Sequence, residues 1–209
     1  MIRRLVIGSR NNKKIKEMKA LIVPHWARPA WADRVEIVGL EHFPDAPEPD
    51  ETGLTFAENA CIKAREFALA TGEWVLADDS GLTVDALDGR PGIYSARYAG
   101  THGDDAANNA RVLDELRGLP PEKRGAAFVC RLAVADPEGN IRLEAGGQCR
   151  GRIIESLEGA NGFGYDPMFL IPEYHQTFGE LPAIVKHQLS HRCRAFEHLR
   201  SELHRVIGG

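Results

Sequence analysis

Apolar residues follow two patterns along the chain, short continuous runs and repeats at helical spacing. Two continuous runs are typical of buried strands, at residues 5–7 and 74–77, and a short apolar run at residues 35–40 lies between them in a connecting region. Helical repeats with capping residues predict helices over residues 15–22, 55–71 and 104–116, and a closing helix that follows Ser190. Later strands are predicted at residues 126–135, 141–146, 151–155 and 168–171, and the first two of these should form a hairpin. The chain therefore combines helices with strands.

An acidic break interrupts the third apolar run. Residues 74–77 give way to two aspartates, a serine and a glycine at residues 78–81, and strand character resumes at residues 83–87. We expect a strand end at the acidic pair, where ligands collect in α/β proteins. Successive carboxylates on a strand point to opposite faces, so two acids acting on one ligand would need a turn, which Gly81 favours. A solvated turn uses the same residue types, so both interpretations stay open here.

A polar loop joins the first predicted strand to the first helix. Ser9, Asn11 and Lys14 supply hydrogen-bond donors there, and a helix start adds unpaired N–H groups and a partial positive charge. The loop suits a phosphate, although it lacks the glycine spacing and the terminal Gly-Lys-Ser/Thr of a P-loop. Plain capping of the helix by Asn11 or Asn12 is the alternative.

The second predicted helix begins with a capping box, since Thr55 is followed three residues later by Glu58. Lys63 lies on the polar face of this helix, which directly precedes the acidic strand in sequence. Glu51 and Lys63 are therefore expected to reach the same cleft as Asp79. The competing interpretation of Lys63 is an ordinary surface lysine.

Two more polar clusters occur late in the chain. Residues 161–167 interleave glycines with Phe163 and Tyr165, which suits close approach to a flat ligand and also fits a structural turn. His191 and Arg192 fall in the first turn of the closing helix, where positive charge is unfavourable. A negative partner or a carbonyl acceptor would relieve this, unless the two cations are a surface accident.

Composition narrows the partners of the chain. Its 209 residues suffice for one large domain or two small ones. A net charge of -4 supplies no overall positive field for nucleic acid or an anionic membrane. No secretory or membrane-spanning segment is expected, so the cytoplasm is the default compartment. The four cysteines (Cys61, Cys130, Cys149 and Cys193) form no CxxC pair, which argues against a zinc site.

Carboxylates and phosphate donors together indicate a divalent cation. Glu51, Asp78 and Asp79 supply the carboxylates, while Lys63 and the first loop supply phosphate donors. Mg²⁺ shares its coordination shell between one or two carboxylates and substrate phosphates. With that ion, hydrolysis of a phosphoanhydride follows, in which a carboxylate orients or deprotonates water.

Four blocks, in order across nearly the whole chain, resemble the signature segments of the inosine/xanthosine triphosphate pyrophosphatase family. They are residues 51–60 with 63–64, 76–82 with 91–98, 162–169 and 190–192. The resemblance implies an α/β fold, elongated and two-lobed around a long mixed sheet with a central cleft, formed by a single domain over residues 1–209. It also implies a homodimer, dependence on Mg²⁺, and hydrolysis of deaminated purine nucleotides (ITP, dITP and XTP) to the monophosphate and pyrophosphate.

Residue roles follow from this resemblance, position by position. Asp79 corresponds to the proton acceptor and a metal ligand, Asp78 beside it is a second catalytic candidate, and Glu51 is the other metal position. The substrate-binding positions are Ser9, Asn11 and Lys14 in a triphosphate loop, Lys63, Ser80, the nucleoside platform Phe163, Gly164, Tyr165 and Asp166, and the base-recognition group Lys186, His191 and Arg192. That last group offers hydrogen-bond donors, which match the 6-oxygen of hypoxanthine or xanthine and reject the 6-amino group of adenine.

Arg10 departs from the family pattern, which usually has glycine at this position. If the position needs a positive φ angle, Arg10 costs about 1 kcal/mol or more. Alternatively, its cation adds a phosphate contact. Gly179 and His187 are milder variations.

Two other functions stay open at this point. One is a pyrophosphatase for modified pyrimidine nucleotides on the related Maf-like fold. The other is a nucleotide-binding sensor that has lost turnover, with Arg10 as the cause. Partnership with nucleic acid or with a membrane is not expected.

Overall fold

The computed structural model of the protein describes residues 3–24 and 30–207. Residues 1–2, 25–29 and 208–209 lie outside the described residues. The strands are β1 (Arg3–Ile7), β2 (Val35–Gly39), β3 (Trp74–Val84), β4 (Gly125–Ala135), β5 (Ile141–Ile153), β6 (Phe169–Ile171) and β7 (Gln176–Thr177). The α-helices are α1 (Asn12–Ile22), α2 (Phe56–Thr71), α3 (Asp105–Glu115), α4 (Ala183–Leu189) and α5 (His191–Ile207).

The strands form a mixed sheet in the order β2-β1-β3-β4-β5-β6-β7. Strand β1 runs parallel to β2 and β3, whereas β6 is antiparallel to β5 and β7. A short connection joins the neighbours β4 and β5, as the predicted hairpin requires. The α/β fold with a mixed sheet is therefore confirmed, while the elongated shape and the central cleft stay predictions.

The described chain divides into two compact units. The first unit contains the described residues of Met1–Asp79, Cys130–Gly147 and Arg192–Gly209, and the second contains Ser80–Val129 and Gln148–His191. Strands β3, β4 and β5 contribute residues to both units. That the two units form a single domain stays a prediction. Among the described helices, none has the length and apolar content needed to cross a lipid bilayer.

Two apolar clusters fill the first unit, one on each face of its strands. On β1, Leu5 and Ile7 belong to the cluster that contains Met18 of α1 and Phe196 of α5, whereas Val6 belongs to the cluster of α2. Strand β3 follows the same alternation, because Leu76 lies in the first cluster and its neighbours in the second. The second unit has its own core, which includes Leu82, Val112, Phe169 and Phe178.

Local sequence signals explain where the helices begin and end. Asn11 caps α1 by accepting hydrogen bonds from the backbone N–H groups of Lys13 and Lys14. The predicted capping box of α2 is confirmed, and Gly72 ends this helix in the left-handed region at φ 67°. The apolar side of α5, which includes Phe196, Leu199 and Leu203, lies in the core.

Two predicted boundaries are wrong, and one helix was missed. Strand β3 continues through the acidic pair to Val84, so the expected break is absent and Gly81 makes no turn. Gly81 is instead a point of close approach, since a Cβ there would lie 2.2 Å from Ser95 Oγ. The predicted strands at residues 141–146 and 151–155 are one strand, β5, and a helix that was not predicted, α4, ends at Ser190 just before α5 begins.

Candidate functional site

A lysine between two carboxylates forms the centre of the site in the first unit. Lys63 Nζ lies 2.9 Å from Glu51 Oε1 and 2.9 Å from Asp79 Oδ1. Helix α2 carries the lysine, β3 carries the aspartate, and the loop before α2 carries the glutamate. The side chains of Lys63 and Asp79 are only 9% and 10% exposed. The prediction that these three residues meet is therefore confirmed, and the interpretation of Lys63 as a surface residue is wrong.

Asn59 also belongs to this group, although sequence reasoning did not assign it a role. Its fully buried side chain donates to Asp79 Oδ2 at 3.3 Å and accepts from the backbone N–H of Gly53 at 2.8 Å. One amide therefore links the aspartate to the loop that carries Glu51. A signal was present in the sequence, because Asn59 lies four residues before Lys63 and hence on the same helix face.

Burial and charge act in opposite directions on the two central groups. Burial opposes the charge of Lys63, but the carboxylates of Asp79, Asp78 and Glu51 outweigh it and raise the pKa of the lysine. Burial raises the pKa of Asp79, and the neighbouring cation Lys63 offsets this only in part. Asp79 is therefore a stronger base than an ordinary aspartate, and a further cation nearby would stabilise its charged form.

Asp78 faces the opposite side of β3, as expected for the neighbour of Asp79 on a continuous strand. Its side chain is 1% exposed, and its Oδ2 lies 3.2 Å from Lys14 Nζ and 3.7 Å from Arg192 Nε. Arg192 also donates to Glu17 Oε2 at 3.0 Å. The sealed position suits a residue that holds two cations in place, and a direct catalytic role for Asp78 stays a prediction.

Arg192 lies at the start of α5, where a positive charge is unfavourable, and it has two negative partners. Glu17 and Asp78 compensate its charge, so the surface-accident interpretation is wrong for this residue. Glu17 was not predicted, yet it lies three residues after Lys14 on α1 and thus on a neighbouring position of the same helix.

In the first loop, Asn11 caps helix α1, which was one of the two predicted roles of this loop. Asn11 Oδ1 accepts from the N–H groups of Lys13 and Lys14 at 3.0 and 3.2 Å, and Ser9 Oγ accepts from the N–H of Asn11 at 3.2 Å. These bonds do not test phosphate binding by Ser9, Asn11 and Lys14, which stays a prediction. The loop follows β1 directly, and the N–H of Gly8 donates to Leu76 O on β3 at 2.8 Å.

Arg10 is unstrained in this loop. Among the described non-glycine residues, positive φ angles occur at Asp88 and His175, and Arg10 is not among them. Its guanidinium donates to Glu48 Oε2 at 3.0 Å and to Ala46 O at 2.5 Å. The strain argument against this residue is therefore wrong.

In the second unit, Lys186 of the expected base-recognition group contacts Asp166 of the expected nucleoside platform, whereas Arg192 belongs to the first unit. Lys186 Nζ lies 2.5 Å from Asp166 Oδ2, and the same oxygen accepts from the N–H of Phe163 at 2.7 Å. The amine lies 5.0 Å from the centre of the Phe163 ring and 5.7 Å from that of Phe178. Gly162 is required here, because its φ is 78° and a Cβ would lie 2.0 Å from Asp166 Oδ2.

Three other predicted contact residues of this unit are His191, Tyr165 and Ser80. His191 is stacked on Phe128 with ring centres 5.0 Å apart, and Tyr165 donates its hydroxyl to Ser95 O at 2.7 Å. Burial raises the pKa of Tyr165, so its phenol stays protonated as a donor. Ser80 is half-buried on β3. A cavity of about 370 Å³ in the same unit is lined by other residues, among them Arg117, Arg124 and Glu155.

Glu51 and Asp79 are the carboxylates of the first unit that could ligate a divalent cation such as Mg²⁺. Within residues 3–24 and 30–207, no cluster of three or more His, Cys, Asp or Glu side chains is arranged to hold a metal. Glu51 and Asp79 alone would leave several positions in the shell of Mg²⁺, which typically takes one or two carboxylates and completes its shell with phosphates and water. The two carboxylates share one lysine, and burial raises the pKa of Asp79, so a further cation there would stabilise its charged form.

Comparisons with known proteins agree over almost the full length of the chain. A family model described as the Ham1 family matches residues 5–202. A curated dITP/XTP pyrophosphatase of Rhodopirellula baltica is 49% identical over 203 residues, which is 97% of this chain and 94% of that protein. The solved structures of a Ham1 protein from Staphylococcus aureus and of a HAM1 protein from Coxiella burnetii have TM-scores of 0.84 and 0.86, with identities of 38% and 37%. Each match covers 98% of this chain and 100% of the other.

Proposed function

Since the chain belongs to the Ham1 family, we propose that it hydrolyses deaminated purine nucleoside triphosphates (ITP, dITP and XTP) to the monophosphate and pyrophosphate. Such an enzyme removes nucleotides with damaged bases from the pool. The near full-length relative named dITP/XTP pyrophosphatase supports this choice over a pyrimidine-directed enzyme on a Maf-like fold.

One observation carries the proposal. Lys63 Nζ lies 2.9 Å from carboxylate oxygens of both Glu51 and Asp79, in a nearly buried group where Asn59 also fixes the orientation of Asp79. This arrangement supplies a cation for a phosphate and a basic carboxylate for water at the same place.

In this proposal Asp79 accepts the proton of the attacking water. Burial raises the pKa of Asp79, and Lys63 and a bound cation act in the opposite direction, so the carboxylate stays ionised and able to accept a proton at neutral pH. Asn59 holds one carboxylate oxygen and Lys63 the other, so the orientation of the base is set before substrate binds. Lys14, which is anchored on Asp78, supplies a second cation for the triphosphate.

Glu51 and Asp79 would hold Mg²⁺ together with phosphate oxygens of the substrate. When bound, the ion neutralises charge that develops on the leaving pyrophosphate.

Recognition of the base falls to the second unit in this proposal. Phe163 provides a ring face for stacking, and Lys186 and His191 supply donors to the 6-oxygen of the purine. Adenine would leave such a donor unpaired, which costs about 1–3 kcal/mol and corresponds to about 5- to 150-fold discrimination. Arg192 is anchored on Glu17 and Asp78, so we assign it a weaker share of base recognition than the family resemblance implies.

Two further parts of the proposal rest on the resemblance alone. The protein is proposed to act as a homodimer, and its place of action is proposed to be the cytoplasm, where nucleotides are made and used.

A substrate panel tests this function. Pyrophosphate release is measured with ITP, XTP, dITP, GTP and ATP, and with modified UTP and TTP, each with Mg²⁺ and with a chelator. We expect release from the deaminated purines in the presence of Mg²⁺. Preference for a pyrimidine nucleotide, or binding of ITP without release of pyrophosphate, would contradict the proposal.

A further inference from the structure

Two side chains on one face of α3 form hydrogen bonds with the backbone N–H and the backbone carbonyl of Gly164, the residue that follows Phe163. The N–H of Gly164 donates to Asp105 Oδ2 at 2.8 Å, and its carbonyl oxygen accepts from Asn109 Nδ2 at 3.0 Å. Asp105 and Asn109 are four residues apart and therefore lie one turn apart on the same helix face. A single helix thus fixes both backbone polar groups of Gly164, which lies between Phe163 and Tyr165.

The bonds on either side extend this control to the Phe163 ring. Gly164 adopts a left-handed conformation with φ 62°, which orients the chain for these two bonds. The N–H of Phe163 is held by Asp166, and the hydroxyl of Tyr165 is held by Ser95. Each of the three consecutive residues is therefore tied to a different element of the same unit, and the position of the Phe163 ring depends on all of these ties.

Packing alone does not explain the asparagine at position 109. Asn109 is 4% exposed, and its Oδ1 is buried with no hydrogen-bond partner among the residues that the structure describes. An acceptor that loses water without gaining a partner is destabilising, and leucine, of similar volume, would avoid this cost. The bond from Nδ2 to Gly164 is what the amide contributes.

We propose that Asp105 and Asn109 are positioning residues that hold residues 163–165 in the conformation that accepts a purine ring. The inference deepens the proposed function, because it assumes that Phe163 forms the nucleoside platform. Both residues act through the backbone of Gly164, so their loss should weaken binding of the nucleoside part and leave the groups around Asp79 unchanged.

The test compares Asp105→Ala and Asn109→Leu with the wild-type protein in pyrophosphate release from ITP. Losing one of these hydrogen bonds should raise KM about five- to tenfold with kcat within about twofold. Inhibition by tripolyphosphate, which has no base, should be unchanged. Asn109→Leu should resist urea as well as or better than wild type, which a purely structural role for the amide does not allow.

Two control variants separate positioning from general damage. Asp105→Asn keeps an acceptor for the N–H of Gly164 and should restore most of the affinity. Asn108→Ala removes a buried amide of the same helix that binds the backbone of Ala96 and Ala99 instead, so it should lower stability with little change in KM.

The inference is overturned if KM is unchanged in both test variants, or if tripolyphosphate inhibition weakens as much as ITP binding. Absence of pyrophosphate release by the wild-type protein would refute the proposed function separately. In that case, calorimetric binding of inosine monophosphate to the same variants decides the inference, with the same fold-changes expected in Kd.

Discussion

Two nearly buried lysines, one in each unit, have different surroundings. Lys63 contacts two carboxylates, those of Glu51 and Asp79, so the group keeps one formal negative charge. Lys186 contacts one carboxylate, that of Asp166, and lies over two phenylalanine rings. The first group joins one amine to two carboxylates, whereas the second joins one amine to one carboxylate beside aromatic faces.

This difference teaches that the partners of a buried lysine, rather than the lysine itself, indicate what it serves. An excess of carboxylate attracts another cation and suits charge-rich chemistry on phosphates. A neutral pair beside aromatic rings leaves donors and flat apolar surface, which suits an uncharged heterocycle. The following changes break or sharpen this contrast, from the largest expected effect to the smallest.

Replacing the catalytic candidate of the first unit should have the largest effect. Asp79→Asn removes the proton acceptor, and kcat should fall at least about 100-fold. Lys63 keeps Glu51 as a partner in this variant, so the fold should persist. Steady-state kinetics with urea unfolding tests both statements, and near-normal turnover in a folded variant would refute the assigned role.

Removing the cation of the same group should affect stability. Lys63→Met leaves Glu51 and Asp79 without their shared partner, and the free energy of unfolding should fall by about 3 kcal/mol. Added Mg²⁺ should recover part of this loss if the two carboxylates bind it.

Lys14→Met is the matched control for this change. Its partner Asp78 retains Arg192, so a smaller loss is expected, without recovery by Mg²⁺. Equal losses in the two variants would show that the negative excess around Lys63 has no special importance.

The corresponding change in the second unit should alter selectivity. Lys186→Ala removes a donor to the 6-oxygen, and the ratio of kcat/KM for ITP to that for ATP should fall about tenfold or more. Lys123→Ala, an exposed lysine of the same unit, is the control. An unchanged ratio in a stable Lys186 variant would remove this residue from base recognition.

The smallest effect is expected at Arg10. Since Arg10 is unstrained and bonded to Glu48 and Ala46, Arg10→Gly should destabilise the protein by about 1 kcal/mol rather than stabilise it. Turnover should change by no more than about threefold. If the wild-type protein releases no pyrophosphate and Arg10→Gly does, the sensor hypothesis is supported instead.

Local signals made part of the fold predictable. The capping box of Thr55 and Glu58 and the glycine that ends α2 act within a few residues, so the sequence shows them directly. The continuity of β3 through Asp78 and Asp79 was missed, because turn residues predict a break wherever tertiary partners are ignored. Here cations from three helices pair with the two aspartates and stabilise them inside a strand.

The sequence predicted which residues belong to the site, but it did not predict which of them form ion pairs with each other. The sequence by itself determined which charged and aromatic residues are available and, through alternation along β3, that Asp78 and Asp79 face opposite sides. Only the tertiary structure decided that Arg192 pairs with Glu17, a residue 175 positions away. Ion pairs form between groups within a few ångströms in space, and chain order does not fix such distances until the helices are packed on the sheet.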